Sequence, residues 1–579
     1  MRNMVDPRQN ALFDPAELMF SPVALKRLRG DWPHVFRTAL LKLMPAGKLG
    51  EHFHPSVGCP TKELYGMAGA IFLKEYFNLT IEQAVVNCLF RTDWQYALNI
   101  EPLAASMSHA SIERYSKLIT EDDLAREIFD RVTAALVELL ELDVSRQRLD
   151  STHIQSDMAS FGHTRLMAVT IKRFLAQLKR HEAASYQALP AELRERYAPA
   201  ESQLFGHYRG DRRQLRQTLA EDLLSLVSRF AGQDAITSRS SYQAMARVLA
   251  EQCDVREETV TVQKVQGGGG LQNPSDSDAT YSGHKGAGYS AQIAQTCTEG
   301  NDAQLITGVE VTPAHVSDQT AVEPMLEQLA QQELLPETMY ADQGYGGDEN
   351  VQHAQACGVD LQSPVAGHEM DPDQLSLDDF VIDEQTETVQ RCPNGCVPVS
   401  SQVDPATGRT RTVMAAEDCR RCAFVEQCPV HQAKGQYVLI HQPLQRRCAE
   451  RRAEQQTEAF AENYAIRAGL ESTHSALKRA TGMGRLRTRG LKRMRLGVLL
   501  RCAGWNIKRA VAALRARARK TGTDLARALE KALQNALQAC RAPSPAAIGA
   551  HNRPPAGQRP AYDRPFRSSG APTLALVAA

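Results

Sequence analysis

Segments with strand character are few and far apart in this chain, so any sheet must be assembled from pieces remote in sequence. RQRLDSTHIQSD reads as a strand carrying Asp150. From about Arg165 to Asp254 the pattern is helical and rich in charge. Two further strand-like runs follow, GYSAQIAQTC and AQLITGVEVT, separated by the turn-like TEGND. Ser317 then caps a helix through AVEPMLEQLAQQ, and ETMYAD forms a short strand that ends at Asp342 and is broken by GYGG. Strand, helical stretch, two strands, helix, strand: that succession predicts one mixed α/β layer interrupted by a long insertion.

A chain of 579 residues exceeds one ordinary core. Composition shifts divide it into a helical N-terminal unit over 1–140 and an α/β core drawn from 141–165 and 280–365. The remaining divisions are a mostly helical insertion with a Gly-rich linker over 166–279, an acidic and cysteine-rich insertion over 366–440, C-terminal core helices over 441–525, and a tail over 542–579 expected to be disordered. In the N-terminal unit LYGMAGAIFLKEYF is apolar-periodic, and Thr80 with Gln83 forms a capping-box pattern. Two short helices joined by a turn can contact nucleic acid, although plain packing is the commoner use. Gly267 to Gly270 is no phosphate-binding loop, because no Gly-Lys-Ser/Thr follows.

No apolar run is long enough to cross a bilayer, and MRNMVDPRQNALFD lacks the apolar core of a secretory signal, so a cytoplasmic protein without membrane partners is expected. The thirteen cysteines are then expected to be reduced, and clusters among them argue for metal rather than disulfides. CPNGC and CRRCAFVEQC bring Cys392, Cys396, Cys419, Cys422 and Cys428 into one segment, with His431 close by; the Cys419-x-x-Cys422 spacing suits a structural zinc knuckle. Formal neutrality hides segregated charge. Between Arg485 and Lys520 there are 13 Lys or Arg and no acid, whereas Glu369 to Glu387 has no Lys or Arg.

Tyr464, Arg467, Glu471 and Lys478 are spaced 3, 4 and 7 residues apart. At about 100° per residue they fall within an arc of roughly 60° on one helix. A carboxylate flanked by cations suits a metal ion beside a phosphate, and a solvated face with ion pairs is the plainer alternative. The basic stretch after it, including Arg485, Arg487 and Arg489, is compatible with a helix whose outer cations neutralise DNA phosphates. Asp150 and Asp342 stand on strands, where side chains project rigidly, and a few carboxylates with open positions suit magnesium.

Taken together these residues resemble the DDE transposases of bacterial insertion sequences, in the branch with a Tyr-Arg-Glu-Lys signature. The third motif is Tyr464, two residues, Arg467, three residues, Glu471, six residues, Lys478; LDSTHI with Asp150 and YADQGYGGDEN with Asp342 match the first and second. The resemblance spans roughly residues 40–515. It implies a ribonuclease H-like core and metal-dependent cutting and joining of DNA ends. Asp150, Asp342 and Glu471 would hold Mg2+ or Mn2+, and Tyr464, Arg467 and Lys478 would contact phosphates or the strand at the transposon end. It implies double-stranded DNA as partner, as terminal inverted repeats and as target, and an active homodimer because two ends must be handled together. A similar cysteine pattern in some relatives points to Cys392, Cys419, Cys422 and Cys428 as the structural Zn2+ ligands, with Cys396 exchangeable. His153 and His474 read as surface or supporting residues. The alternatives are a domesticated or inactive DNA-binding relative, and a metal-dependent nuclease without strand transfer.

Overall fold

The structure, a computed structural model, describes residues 1–5, 7, 14–101, 106–156, 158, 161–199, 212–256, 259–263, 268–367 and 374–539. The tail over 542–579 and Gly267 lie outside the described residues. A mixed sheet stands at the centre. Its strands are β1 (Arg146–Ser156), β2 (Gly286–Thr296), β3 (Ile306–Pro313), β4 (Thr338–Ala341) and β5 (Asp360–Gln362). They run in the order β3-β2-β1-β4-β5. β2 is antiparallel to both neighbours, while β1, β4 and β5 are mutually parallel. β5 was not foreseen; with only three residues it offers no periodicity to read.

Sheets covered on both faces read as nearly continuous apolar runs, and β2 is buried along almost its whole length. Gly288 in β2 has φ +146, and a Cβ there would lie 2.2 Å from the Ile154 carbonyl oxygen, so the close approach of β2 to β1 demands glycine. On one face Ile293, Val309 and Val311 pack with α1 (Leu64–Tyr76), α2 (Leu124–Leu140) and the long helix at the C-terminal end of the core. On the other, Leu149 and Met339 pack with Met325 and Leu329 of α3 (Val322–Gln331). α1 is apolar nearly all round and buried nearly all round, which makes it a core helix. The Thr80 capping box is present, with both reciprocal bonds.

Between β1 and β2 the helices His163–His181, Arg212–Phe230 and Ser240–Gln252 enclose a separate core around Phe174, Leu223 and Met245. After β5 comes a four-stranded antiparallel sheet spanning Ser400 to His441, and Met414, Val430 and Leu439 from this stretch cluster with Phe380 and Val389 from the segment before it. The chain then continues through α4 (Pro443–Gln455), α5 (Glu458–Tyr464), α6 (Gly469–Thr481) and α7 (Leu491–Thr521).

Two sequence expectations change here. The single helix expected to carry Tyr464 through Lys478 is broken: a 3-10 turn, Ala465–Ala468, separates α5 from α6. The basic stretch forms a 31-residue helix, but several of its cations serve the fold rather than a free stripe. Arg495 pairs with Glu310, Arg515 with Asp31 and Arg517 with Asp302. Arg501 is buried: its Nη1 lies 2.6 Å from Glu75 Oε2, and it also bonds the Thr481 and Gly497 carbonyls and Asn78. α7 is therefore threaded through the core, and only Lys492, Arg493, Lys508, Arg519 and Lys520 among its cations are exposed.

Burial opposes ionisation of Glu75, but Arg501 and Lys74 outweigh it and hold its carboxyl down at about 2. A depressed carboxyl stabilises the fold above its ordinary range, so this contribution is complete at neutral pH and is lost as the pH falls from about 4.5 toward 2. Replacing Arg501 by Met leaves the buried Glu75 carboxylate with Lys74 as its remaining ion-pair partner among the described residues. Denaturant unfolding should show a loss of about 3–5 kcal/mol.

Candidate active site

β1 and β4 lie side by side, parallel, with Leu149 opposite Ala341. The next residue on each is an aspartate, so strand pairing alone brings Asp150 and Asp342 together at the end of their shared ladder. Each is oriented by a backbone N–H: Ser151 N donates to Asp150 Oδ1 at 2.7 Å, and Gly344 N to Asp342 Oδ1 at 2.7 Å. Asp342 thereby caps the 3-10 turn Gln343–Tyr345.

The third acid arrives by a different route. The 3-10 turn between α5 and α6 points Arg467 at the aspartates: its Nη2 stands 3.4 Å from Asp150 Oδ2 and 3.7 Å from Asp342 Oδ2, and its Nη1 3.9 Å from Glu471 Oε1. Three carboxylates from segments far apart in sequence thus share one guanidinium. Asp150 is sheltered, with 14% of its side chain exposed, whereas Asp342 is 40% and Glu471 71% exposed. Burial raises the Asp150 pKa and the nearby Asp342 carboxylate adds to it, while the Ser151 N–H, Arg467 and Lys285 pull the other way. As the molecule stands, no group of three or more His, Cys, Asp or Glu side chains among the described residues is arranged to hold a metal ion. The guanidinium is the cation around which the acids gather.

Arg148 anchors the turn that carries Arg467. Its Nη1 donates to the Ile466 carbonyl at 2.8 Å, while Nε and Nη2 donate to Gln295 Oε1 at 3.2 and 2.8 Å. A Cβ on Gly469, the first residue of α6, would sit 2.0 Å from Arg148 Nη1. Tyr464 donates its hydroxyl proton to the Ala341 carbonyl at 2.9 Å, beside Asp342, and stacks on Phe460; burial pushes its pKa up to about 12. Its hydroxyl is therefore engaged with the end of β4. Lys478 and His474 lie further along α6. Burial, with Lys478 and Arg148, brings His474 down to about 4, so it is neutral at physiological pH. Burial also lowers the His153 pKa. Arg485, Arg487 and Arg489 are exposed, on the segment that pairs Arg485 with Gln155 at the end of β1.

Sequence reading missed a second layer. Ser151 Oγ donates to Asp318 Oδ2 at 3.0 Å, Gln292 Nε2 donates to Asp318 Oδ1 at 2.7 Å, and Lys285 Nζ donates to Ser151 Oγ at 2.7 Å. Tyr345, fully buried, donates to Gln292. The only sequence sign of Lys285 is the pair of glycines that flank it in the turn before β2. Away from this site, Cys392, Cys396, Cys419, Cys422 and Cys428 line one pocket as free thiols. Burial and the neighbouring sulfurs raise Cys419 to about 11, and Cys396 shifts the same way with Cys392 beside it. Cys396, expected to be the exchangeable one, lies inside the cluster.

A family model described as a transposase DDE domain matches residues 391–511. The match supports a DDE transposase. A transposase DDE domain implies a ribonuclease H-like core and a nuclease or transposase activity, and it suggests DNA as partner. DDE transposases generally use divalent metal ions. The matched residues include Glu471 and the cysteine cluster; Asp150 and Asp342 lie before them. No curated protein and no solved structure matches. Among the described residues no helix is long and apolar enough to cross a membrane.

Gly469→Ala tests whether the closeness of α6 to β1 sets the third acid. Arg148 is buried and bonded on every nitrogen, so it cannot yield cheaply. Thermal unfolding should show a loss of about 1–3 kcal/mol, and Gly469→Ser should behave alike.

Proposed function

We propose that this chain is an insertion-sequence transposase of bacterial, cytoplasmic origin that binds terminal inverted repeats and carries out metal-dependent cleavage and strand transfer. The observation that carries the reading is the gathering of Asp150, Asp342 and Glu471 on one cation. Their donor atoms are all hard oxygens, and the cluster already draws positive charge to itself, which fits Mg2+ or Mn2+. A divalent ion held by these acids supplies Lewis-acid help to the attacking and leaving oxygens of a phosphodiester.

The side chains divide the remaining work. Asp150 and Asp342 are pre-aimed by the Ser151 and Gly344 N–H groups. Arg467, once released from the acids, turns a planar fork of donors to a phosphate of the DNA strand. Lys478, Arg485, Arg487 and Arg489 add point and fork charges along the strand. Tyr464 fixes the end of β4 so that Asp342 keeps its aim. Two transposon ends cut and joined in concert favour a homodimer on DNA. An intact acid cluster speaks for an active enzyme over a decayed DNA-binding relative, and strand transfer from pre-cleaved ends separates a transposase from a plain nuclease.

Asp150→Asn, Asp342→Asn and Glu471→Gln should each abolish Mg2+-dependent cutting of a labelled terminal fragment while gel-shift affinity for that fragment persists. Full cutting activity in any one of them removes that residue from the site.

The cysteine pocket is read as a structural Zn2+ site, with Cys392, Cys419, Cys422 and Cys428 as ligands. The apolar cluster beside these thiols is small, and small folds of that kind are commonly held by a metal. The full chain, purified without chelator, should carry about one zinc by mass spectrometry of metals. Cys419→Ser should lose it and Cys396→Ser should keep it; a metal-free wild-type chain sinks the assignment.

A further inference from the structure

We propose that Lys285 binds a phosphate of the substrate strand, forming with Lys478 an anion-holding wall at the end of β1, beyond the acids and apart from Arg467. The inference rests on the reading that this site works on DNA, and it adds a residue that no motif marks.

The terminal half of β1 is flanked on one side by the hairpin whose strand Thr280–Ser282 pairs with Gly286–Gly288, and Lys285 sits at its turn. On the other side Gln155 N donates to the Gly484 carbonyl at 3.0 Å, and Lys478 lies along Gly484, its Cδ 3.7 Å from where a Cβ would be. Both lysines therefore border the same stretch of β1, just past Asp150.

Lys285 is held by a hydroxyl. Its Nζ donates to the hydroxyl of Ser151, the neighbour of Asp150, at 2.7 Å, and stands 3.7 Å from Asp318 Oδ2, outside hydrogen-bond distance. Asp318 is already served by two neutral donors, Ser151 and Gln292. Ser151 works as a relay: it donates to Asp318 and accepts from Lys285. An ammonium has three donors, so this arrangement aims Lys285 without using up its capacity, and the side chain remains 38% exposed.

Lys285 and Lys478 also repel each other. Burial, then the charge of Lys285, lowers the Lys478 pKa, and both lysines also press on His153 and His474. The Lys478 ammonium makes no hydrogen bond or ion pair with a described residue. The two cations converge on the imidazoles, and among the described residues Asp318, 3.7 Å from Lys285, is the carboxylate within ion-pair distance of either. Asp318 answers Lys285 alone and is already bonded by Ser151 and Gln292; an anion from outside answers both lysines, and at this place it is a phosphodiester oxygen.

The test uses the full-length Asp150→Asn protein, which cannot cut, and a fluorescent duplex bearing the element's terminal repeat. Anisotropy across a salt series should show Lys285→Ala binding several-fold more weakly, with the log–log salt slope reduced by about 1, and Lys285→Arg restoring the slope. Lys285→Gln repeats the measurement should the alanine variant fold poorly. Asp318→Asn should keep the full slope, since only the restraint on the lysine is removed. An unchanged slope in Lys285→Ala and Lys285→Gln, with an equal loss of melting temperature in Asp318→Asn, makes the lysine a structural partner and overturns the inference. Preferential release of DNA from the parent over Lys285→Ala by inorganic phosphate, at matched ionic strength, would assign the wall to free phosphate and overturn it too. Failure of the wild-type chain to bind or cut the duplex would instead defeat the transposase reading on which the inference stands.

Discussion

The parallel register of β1 against β4 is the constraint on which the rest depends. Leu149 faces Ala341, so the following residues, Asp150 and Asp342, are forced into proximity. Two carboxylates brought together repel, and burial of Asp150 sharpens the problem. The fold answers with Arg467, whose guanidinium reaches both aspartates and Glu471 within 4 Å. That reach depends on the break between α5 and α6. On one unbroken helix, Arg467 and Glu471 would share a face without the 3-10 turn that Arg148 grips through the Ile466 carbonyl. Gly469 permits this grip, and Tyr464 ties the same junction to the end of β4.

Charge is distributed by the same logic. The basic stretch looks like a nucleic-acid stripe from its composition, yet α7 runs through the core and gives Arg495, Arg501, Arg515 and Arg517 to internal acids or carbonyls. Those cations offset buried or partly buried carboxylates from α1 and β3 and from the loops that border the core. The cations that remain exposed on Arg485, Arg487 and Arg489 precede the helix, close to the end of β1. Exposed positive charge therefore lies on this segment near the end of β1 as well as on Lys492, Arg493, Lys508, Arg519 and Lys520 of α7.

Much of the architecture was legible. Strand runs of alternating or continuously apolar residues around Asp150, GYSAQIAQTC, AQLITGVEVT and ETMYAD became β1 to β4, because side-chain period and turn residues act locally. The third motif was legible as residues but not as geometry: spacing predicts a face only if the helix persists, and the 3-10 turn that breaks it is imposed by packing against β1. β5 and the two-residue strand at Arg485 were too short to carry a pattern. Lys285, Ser151, Gln292 and Asp318 were invisible because each is an ordinary polar residue whose meaning comes from its neighbours across strands. The cysteine cluster was legible from spacing, but which thiols meet was not.

By itself, the sequence determined where the strands and helices lie, which acids and cations exist, and how they are spaced, since these follow from backbone preference and covalent order. Only the tertiary structure decided that Asp150, Asp342 and Glu471 share a cation, that Arg501 and its neighbours are spent inside, and that Lys285 stands beside Lys478. Strand register, a helix break and burial bring together residues hundreds of positions apart, and the energies that choose among such contacts depend on distance and solvent exclusion, which no linear spacing encodes.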